Sequence, residues 1–163
     1  MGDERHEHDV IVIGAGVSGI YQIKRLVDAG FDAVVLEADA DVGGTWYRNR
    51  YPGCRFDSES YTYGYSFSRE LLDEWHWKER FSPQPENLRY LRYVVDKFDL
   101  RQYMLFNRRV ERMEWSDTER RWHVSLTDGD KYTARFVVAS LGPISTPIIP
   151  DFEGKDDFQG ESF

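Results

Sequence analysis

The sequence predicts an α/β fold that opens with a strand, a glycine-rich turn, a helix and a second strand parallel to the first. Apolar residues 10–13 form a short run that leads directly into Gly14, Gly16 and Gly19. A helical pattern follows, and a second apolar run ends at Glu37. Because neighbouring parallel strands need a long crossover, usually a helix, this order is typical of a strand–helix–strand unit.

The glycine-rich turn has the Gly-x-Gly-x-x-Gly spacing of a dinucleotide-binding unit. Gly14 permits the tight turn out of the strand, Gly16 allows backbone to approach a diphosphate, and Gly19 allows the helix to pack closely on the sheet. The start of the helix offers N–H groups and a partial positive charge to phosphates, so Ala15 and Ser18 are also predicted to bind the cofactor. The alternative is a glycine-rich turn in an α/β domain that binds no nucleotide.

The helix and the second strand support the dinucleotide interpretation. Ile20, Ile23, Leu26 and Val27 recur at helical spacing and would face the sheet. Glu37 ends the second strand, where a carboxylate accepts hydrogen bonds from a ribose 2′-hydroxyl. A free 2′-hydroxyl suits NAD or the adenosine half of FAD, whereas the carboxylate would repel the 2′-phosphate of NADP. We therefore predict a Rossmann-like, dinucleotide-binding domain.

Composition and charge limit the function classes. The chain has 163 residues, 40% of them hydrophobic and 15% aromatic, which is enough for one domain with a core. The formal charge of −8 disfavours a nucleic-acid partner. No apolar run reaches the length of a membrane span. Cys54 is the only cysteine, which fits a reducing compartment, so we expect a cytoplasmic protein. The oligomeric state stays open.

The two ends of the chain are predicted to lie outside the domain, which we place at residues 9–150. Residues 1–8 are predicted to be a disordered tail, in which His6 and His8 are solvated rather than metal ligands. Residues 151–163 are predicted to be a linker, and their acidic cluster a solvated loop rather than a metal site. The sequence therefore predicts no metal.

The middle of the chain is predicted to hold one helix and three strands. After a loop-rich segment a helix begins at Pro85. Its apolar face comprises Leu88, Leu91, Val94, Val95 and Phe98. Strand-like runs then cover residues 109–115, 121–126 and 132–140. The dipeptide Asp128-Gly129 separates the last two runs and is typical of a hairpin turn.

A second glycine pair indicates which dinucleotide is bound. Gly43 and Gly44 follow shortly after Glu37. A doublet at this distance resembles the FAD-binding pattern of two-dinucleotide flavoproteins, in which backbone again approaches the cofactor. Such proteins interrupt their parallel sheet with a small antiparallel meander, which the three strand-like runs fit. The resemblance implies that the backbone of Val110 contacts adenine and that the turn at Gly142 returns to the FAD. The alternatives are a doublet that only reverses the chain and an ordinary buried strand before Gly142.

The loop after the doublet narrows the family. Residues 43–68 read GGTWYRNRYPGCRFDSESYTYGYSFS. This stretch resembles the Baeyer–Villiger monooxygenases, flavoproteins whose pattern runs GG-x-W-Y-W-N-R-Y-P-G-x-R-x-D and continues with E-S and Y-S-F-S. The matching residues are Gly43, Gly44, Trp46, Tyr47, Asn49, Arg50, Tyr51, Pro52, Gly53, Arg55, Asp57, Glu59, Ser60, Tyr65, Ser66, Phe67 and Ser68. The departures are Arg48, where the family often has tryptophan, and Cys54 and Phe56.

A second resemblance lies near the end of the chain. The family fingerprint reads F-x-G-x-x-x-H-x-x-x-W, and Phe158 and Gly160 match its first positions. The chain ends at Phe163, before the expected histidine. The resemblance therefore implies an N-terminal FAD-binding portion, incomplete by itself, with residues 151–163 leading toward a missing NADPH-binding domain.

The resemblance also implies a reaction. With FAD and NADPH, such an enzyme inserts one oxygen atom of O2 next to the carbonyl of a small-molecule ketone and forms an ester or lactone. Asp57 matches a loop aspartate that positions a downstream arginine near the flavin, and it is the predicted catalytic residue. The cofactor contacts that we predict in this loop are Gly44, Thr45, Trp46, Tyr47, Arg55, Asp57 and Tyr63.

Structural alternatives exist for three of these residues. Asp57 could cap backbone N–H groups in its loop, and Trp46 and Tyr63 could be core aromatics. For the chain as a whole, the alternatives are an N- or S-oxidising flavin monooxygenase and a non-catalytic FAD-binding remnant. Because the isolated chain lacks an NADPH-binding unit, we expect that it does not complete turnover.

Overall fold

The opening strand–helix–strand unit is present and organises the fold. The computed structural model describes residues 6–143 and 145–161. The strands are β1 His6–Ile13, β2 Ala33–Leu36, β3 Met104–Leu105, β4 Val110–Ser116, β5 Arg121–Leu126 and β6 Lys131–Ala139. The helices are α1 Val17–Asp28, α2 Thr45–Arg48, α3 Ser60–Tyr63, α4 Arg69–Glu74 and α5 Gln84–Lys97, with 3-10 turns at Arg101–Tyr103 and Lys155–Asp157.

All six strands join one mixed sheet in the order β3-β2-β1-β6-β5-β4. The strand β1 runs parallel to β2 on one side and to β6 on the other, and β3 extends the parallel part beyond β2. The strands β4, β5 and β6 form the antiparallel meander. Since β6 belongs to both parts, the meander continues the parallel sheet. The predicted α/β, Rossmann-like fold with a meander is confirmed.

Both faces of β1 are covered, which explains its unbroken apolar run. Val10 and Val12 point to one face, where α1 and α5 supply a core that includes Ile20 and Ile23. On the opposite face lie Ile11 and Ile13 of β1, with Val34 and Leu36 of β2, Val124 and Leu126 of β5, and Tyr132 and Ala134 of β6. This two-sided packing holds the carboxyl end of β1 rigidly in the centre of the sheet.

The predicted apolar face of α5 is buried, apart from its last member. Leu88, Leu91, Val94 and Val95 are buried, whereas Phe98 is half-buried at the end of the helix. None of the described helices, the longest being α5 with 14 residues, is long and apolar enough to cross a bilayer.

The predicted tail boundary is wrong for residues 6–8, because β1 already begins at His6. The parallel register with β6 extends past the apolar run, and His6 lies opposite Tyr132. The two rings stack at 4.8 Å, while His8 Nδ1 lies 3.1 Å from Asp32 Oδ1. Backbone pairing and ring contacts thus order polar residues that the sequence alone places in solvent. Residues 1–5, the rest of the tail, lie outside the described residues.

The predicted linker is exposed wherever it is described. Residues 151–161 carry the turn Lys155–Asp157 and no buried side chain. Residues 162–163 lie outside the described part of the chain. The linker therefore stays a prediction.

Candidate functional site

A cleft of about 1060 Å³ opens at the carboxyl ends of the parallel strands. Five segments line it: the turn after β1 with the start of α1, the end of β2, the glycine doublet with α2, the start of β4, and the chain after β6. The last helical residue of α3, Tyr63, also reaches the wall. Open α/β sheets bind ligands at this edge, so the cleft is the candidate site.

The turn after β1 depends on two glycines. Gly14 has a φ of +97°, and a Cβ there would lie 2.7 Å from the carbonyl oxygen of Ser140. A Cβ at Gly19 would lie only 1.8 Å from the carbonyl oxygen of Gly14. The first turn of α1 therefore rests directly on the backbone of the turn. Gly19 supports the site from behind and does not line the cleft.

The second glycine of the motif, Gly16, faces the glycine doublet. A Cβ at Gly16 would lie 3.5 Å from Gly44 Cα, and a Cβ at Gly44 would lie 3.0 Å from Gly16 Cα. Next to this contact, the N–H of Gly43 donates to the carbonyl of Ala15 at 3.0 Å. The two glycine turns thus pack against each other as one wall. The approach of the Gly16 backbone to a diphosphate stays a prediction, and the contact of Gly16 with Gly44 is a separate finding of the structure.

The start of α1 is open toward this wall. Gly16 is the N-cap residue, and no side chain caps the helix. The first turn of α1 contains no acidic residue. Among the described residues no side chain caps these N–H groups, and the helix dipole adds partial positive charge to them. Such an end is suited to bind phosphate.

Glu37 is buried beside the glycine-rich turn, with only 5% of its surface exposed. Its Oε2 accepts the N–H of Ala15 at 2.5 Å, and its Oε1 accepts the N–H of Asp39 at 2.7 Å. Each carboxylate oxygen retains a further lone pair. The side chain therefore presents a fixed acceptor to the cleft, as expected for a group that binds ribose hydroxyls.

An ion pair lies beside Glu37 on the cleft wall. Arg48 donates from Nε to Asp39 Oδ2 at 2.6 Å and from Nη2 to Asp39 Oδ1 at 3.1 Å. The hydrogen bond to Asp39 raises the pKa of the Arg48 guanidinium, and the charges of Asp39 and Glu37 raise it further. Sequence reasoning singled out Arg48 but missed Asp39, because the nine-residue spacing matches no helical or strand repeat.

The aromatic residues divide between core and cleft. Trp46 is buried, packs edge-on against Phe56 at 4.8 Å, and does not line the cleft. Its Nε1–H donates to the hydroxyl of Tyr63 at 3.0 Å. Tyr63 lines the cleft, and burial, together with the nearby charge of Asp57, raises its pKa. Trp46 thus occupies a core position, as the alternative had it, and holds Tyr63 at the wall.

The residues predicted to bind the cofactor fall into two groups, those that line the cleft and those that do not. Those that line the cleft are Gly14, Gly16, Ser18, Glu37, Gly44, Thr45, Tyr63, Val110 and Gly142. Those that do not are Ala15, Gly19, Trp46, Tyr47, Arg55 and Asp57. Arg55 is exposed and donates to Glu79 Oε2 and to the carbonyl of Phe81, each at 3.1 Å. Asp57 is exposed, and its charge contributes to the raised pKa of Tyr63.

The chain is similar to one family of domains and to several monooxygenases. Residues 12–75 match the family described as an NAD(P)-binding Rossmann-like domain. A 2-oxo-Δ3-4,5,5-trimethylcyclopentenylacetyl-CoA monooxygenase from Pseudomonas putida is 47% identical over 95% of this chain and 28% of its own length. A Baeyer–Villiger monooxygenase from Pseudooceanicola batsensis is 41% identical over 94% of this chain and 28% of its own length.

Two further matches are an N-monooxygenase and a solved structure. A phenazine N-monooxygenase from Lysobacter antibioticus is 36% identical over 99% of this chain and 30% of its own length. Among solved structures, OTEMO in complex with FAD and NADP superposes with a TM-score of 0.87 at 47% identity, covering 96% of this chain and 30% of the other. The chain thus spans less than a third of the length of these relatives. In sequence and in fold, the chain is therefore similar to part of these Baeyer–Villiger and related monooxygenases.

Proposed function

We propose that this chain is the FAD-binding part of a monooxygenase that uses FAD and NADPH to insert one oxygen atom of O2 next to a ketone carbonyl. The observation that carries the proposal is the cleft, which combines an uncapped helix start, two facing glycine turns and a fixed carboxylate. The 47% identical relative and the FAD-bound neighbour support the same assignment.

The residues of the cleft fit the parts of FAD in order. The diphosphate would bind the first-turn N–H groups of α1, along the wall that Gly16 and Gly44 form together. The adenosine ribose would bind the carboxylate of Glu37. The start of β4 at Val110 would adjoin the adenine, and Tyr63 lies on the wall left for the rest of the cofactor. When bound, FAD would supply the oxygen chemistry, while the chain binds it and shields it from water.

The NADPH site and the ketone site belong to the whole protein under this proposal. The sequence contains no second Gly-x-Gly-x-x-Gly motif. Asp57 would act through an arginine contributed by further polypeptide, so its catalytic role stays a prediction. The single cysteine, Cys54, supports a reducing, cytoplasmic setting.

The proposal is tested by flavin retention. We expect the purified chain, reconstituted with FAD and desalted, to retain flavin absorbance at about one FAD per chain. Gly16→Val should lose it, because its methyl groups would be driven toward Gly44, whose Cα lies only 3.5 Å from a Cβ at residue 16. Gly16→Ala is the matched control, since 3.5 Å is an ordinary contact distance. A colourless wild-type chain, or a Gly16→Val variant as yellow as wild type, would contradict the proposal.

Tyr63 provides a finer test of which end of the cleft holds the flavin. Its oxygen accepts from Trp46, so the hydroxyl hydrogen can donate to a ligand. We expect Tyr63→Phe to weaken FAD binding about three- to tenfold, the effect of one neutral hydrogen bond, and to shift the flavin spectrum. Tyr61→Phe is the control, because Tyr61 is exposed and bonds to Glu59 away from the cleft. If the FAD titration curves of Tyr63→Phe and Tyr61→Phe were equal, Tyr63 would not be a cofactor-binding residue.

A second activity is supported by one relative. The phenazine N-monooxygenase shares the FAD-binding part at 36% identity, so oxidation of nitrogen is the second candidate reaction. The two candidates are separated in the whole protein by NADPH consumption with a panel of ketones and a panel of N-heterocycles. Product formation from ketones alone supports the first reaction.

A further inference from the structure

The ion pair between Asp39 and Arg48 lies where a nucleotide ribose would bind. Both residues line the cleft beside Glu37, one after β2 and the other at the end of α2. The Arg48 side chain is 41% exposed, so a ligand entering the cleft can reach it. Its guanidinium is nevertheless engaged by both carboxylate oxygens of Asp39, at 2.6 and 3.1 Å.

An acid and an arginine near the ribose favour different ligands. A carboxylate accepts from a free 2′-hydroxyl, whereas an arginine accommodates a 2′-phosphate. This cleft contains both, since Glu37 and Arg48 are close enough to interact electrostatically. The preference therefore depends on whether the guanidinium is free. The carboxylate of Asp39 engages the Nε and Nη2 donors of Arg48 as a bidentate partner, and its negative charge opposes the approach of a phosphate to the remaining donors.

The other charged groups of the cleft make Arg48 the relevant cation. Arg108 pairs with Asp128 and Asp130, and Arg112 pairs with Glu114, so both point their donors at partners on the meander. Arg109 and Glu111 also line the cleft, at the start of β4. Arg48 differs from these residues because its partner Asp39 lies in the same wall as Glu37.

We propose that Asp39 is a specificity-determining residue: by occupying the guanidinium of Arg48, it withholds that cation from a 2′-phosphate and restricts the cleft to dinucleotides with a free 2′-hydroxyl. The inference rests on the proposed function, because it assumes that the adenosine ribose binds at Glu37. It adds a second selection step to the repulsion by Glu37 itself.

The test compares two ligands that differ only in the 2′-phosphate. Binding of ADP-ribose and of 2′-phospho-ADP-ribose to the full chain is measured by titration calorimetry. Wild type should prefer ADP-ribose. Asp39→Asn should bind 2′-phospho-ADP-ribose about tenfold more tightly than wild type, with less than about a threefold change for ADP-ribose. The backbone N–H of Asp39 that holds Glu37 is kept in this variant.

Two controls separate the released arginine from a general change of charge. Asp41→Asn removes a carboxylate that bonds Arg92 and Arg101 outside the cleft, and should leave the ligand preference unchanged. Adding Arg48→Gln to Asp39→Asn should abolish the gain. A gain that persists in this double variant, or that Asp41→Asn reproduces, would overturn the inference and point to Arg109 or to net charge.

Asp39→Ser keeps the inference testable if Asp39→Asn does not fold. It should give a similar gain in affinity for 2′-phospho-ADP-ribose, because it also removes the carboxylate that pairs with Arg48. A folded Asp39→Ser variant with the ligand preference of wild type would overturn the inference. Failure of wild type to bind ADP-ribose at all would overturn the proposed function with it, whereas binding with an unaltered preference in Asp39→Asn overturns the inference alone.

Discussion

Replacing Gly19 by alanine should destabilise the fold by about 3 kcal/mol or more and abolish flavin binding. The new Cβ would lie 1.8 Å from the carbonyl oxygen of Gly14 and 2.9 Å from its carbonyl carbon. Both are backbone atoms in the turn after β1, so no side-chain rotation can relieve the overlap. The helix α1 would have to move away from the sheet and carry with it the N–H groups that we propose bind phosphate.

Urea denaturation, followed by far-UV circular dichroism, measures the loss of stability. Gly16→Ala is the matched control, since the same change three residues earlier places its Cβ at an ordinary 3.5 Å from Gly44 Cα. It should cost no more than about 1 kcal/mol. If Gly19→Ala were as stable as Gly16→Ala, the close contact between α1 and the turn would be incorrect.

Replacing Glu37 by glutamine should weaken FAD binding at least about tenfold, although the two side chains have the same shape. Both carboxylate oxygens accept backbone N–H groups, from Ala15 at 2.5 Å and from Asp39 at 2.7 Å. An amide has a single oxygen, so one of these N–H groups would face an NH2 group. The unpaired donor should also lower the free energy of unfolding by about 1–3 kcal/mol.

Glu86 is a suitable control for this change. It lies on α5 outside the cleft, is as buried as Glu37 at 5% exposure, and accepts from Ser82 and Arg89. Glu86→Gln should therefore lower stability without altering the FAD dissociation constant of the folded protein. The assignment of Glu37 to the cofactor would fail if both variants bound FAD as tightly as wild type.

Local pattern was enough to predict most of the sheet and the two long helices. The run before Gly14 and the run before Glu37 are apolar because β1 and β2 are buried on both faces, and this burial leaves a direct mark on the sequence. The hairpin between β5 and β6 was also predicted from a local signal, the dipeptide Asp128-Gly129. Gly129 adopts a φ of +97° in the turn, which glycine tolerates. The two-residue strand β3 was missed, because a strand so short has no periodicity.

The site was predicted less completely than the fold. Gly14, Gly16, Glu37 and Gly44 line one cleft, as their motif spacing led us to expect. Arg55 was expected in the same site but lies outside the cleft with Glu79. A family pattern records that a residue recurs, and it does not distinguish a side chain that contacts a ligand from one that holds the loop.

By itself, the sequence determined the fold class and the order of the longer strands and helices, because glycine spacing and apolar periodicity are local properties of the chain. It also predicted a dinucleotide as the ligand. Only the tertiary structure decided which residues meet across the cleft. The contact of Gly16 with Gly44, the support of Tyr63 by Trp46 and the pairing of Asp39 with Arg48 join segments that local pattern does not relate. Such contacts depend on the path of the loop after β2 over the ends of the strands, and the packing of that loop against α1 and α5 determines this path.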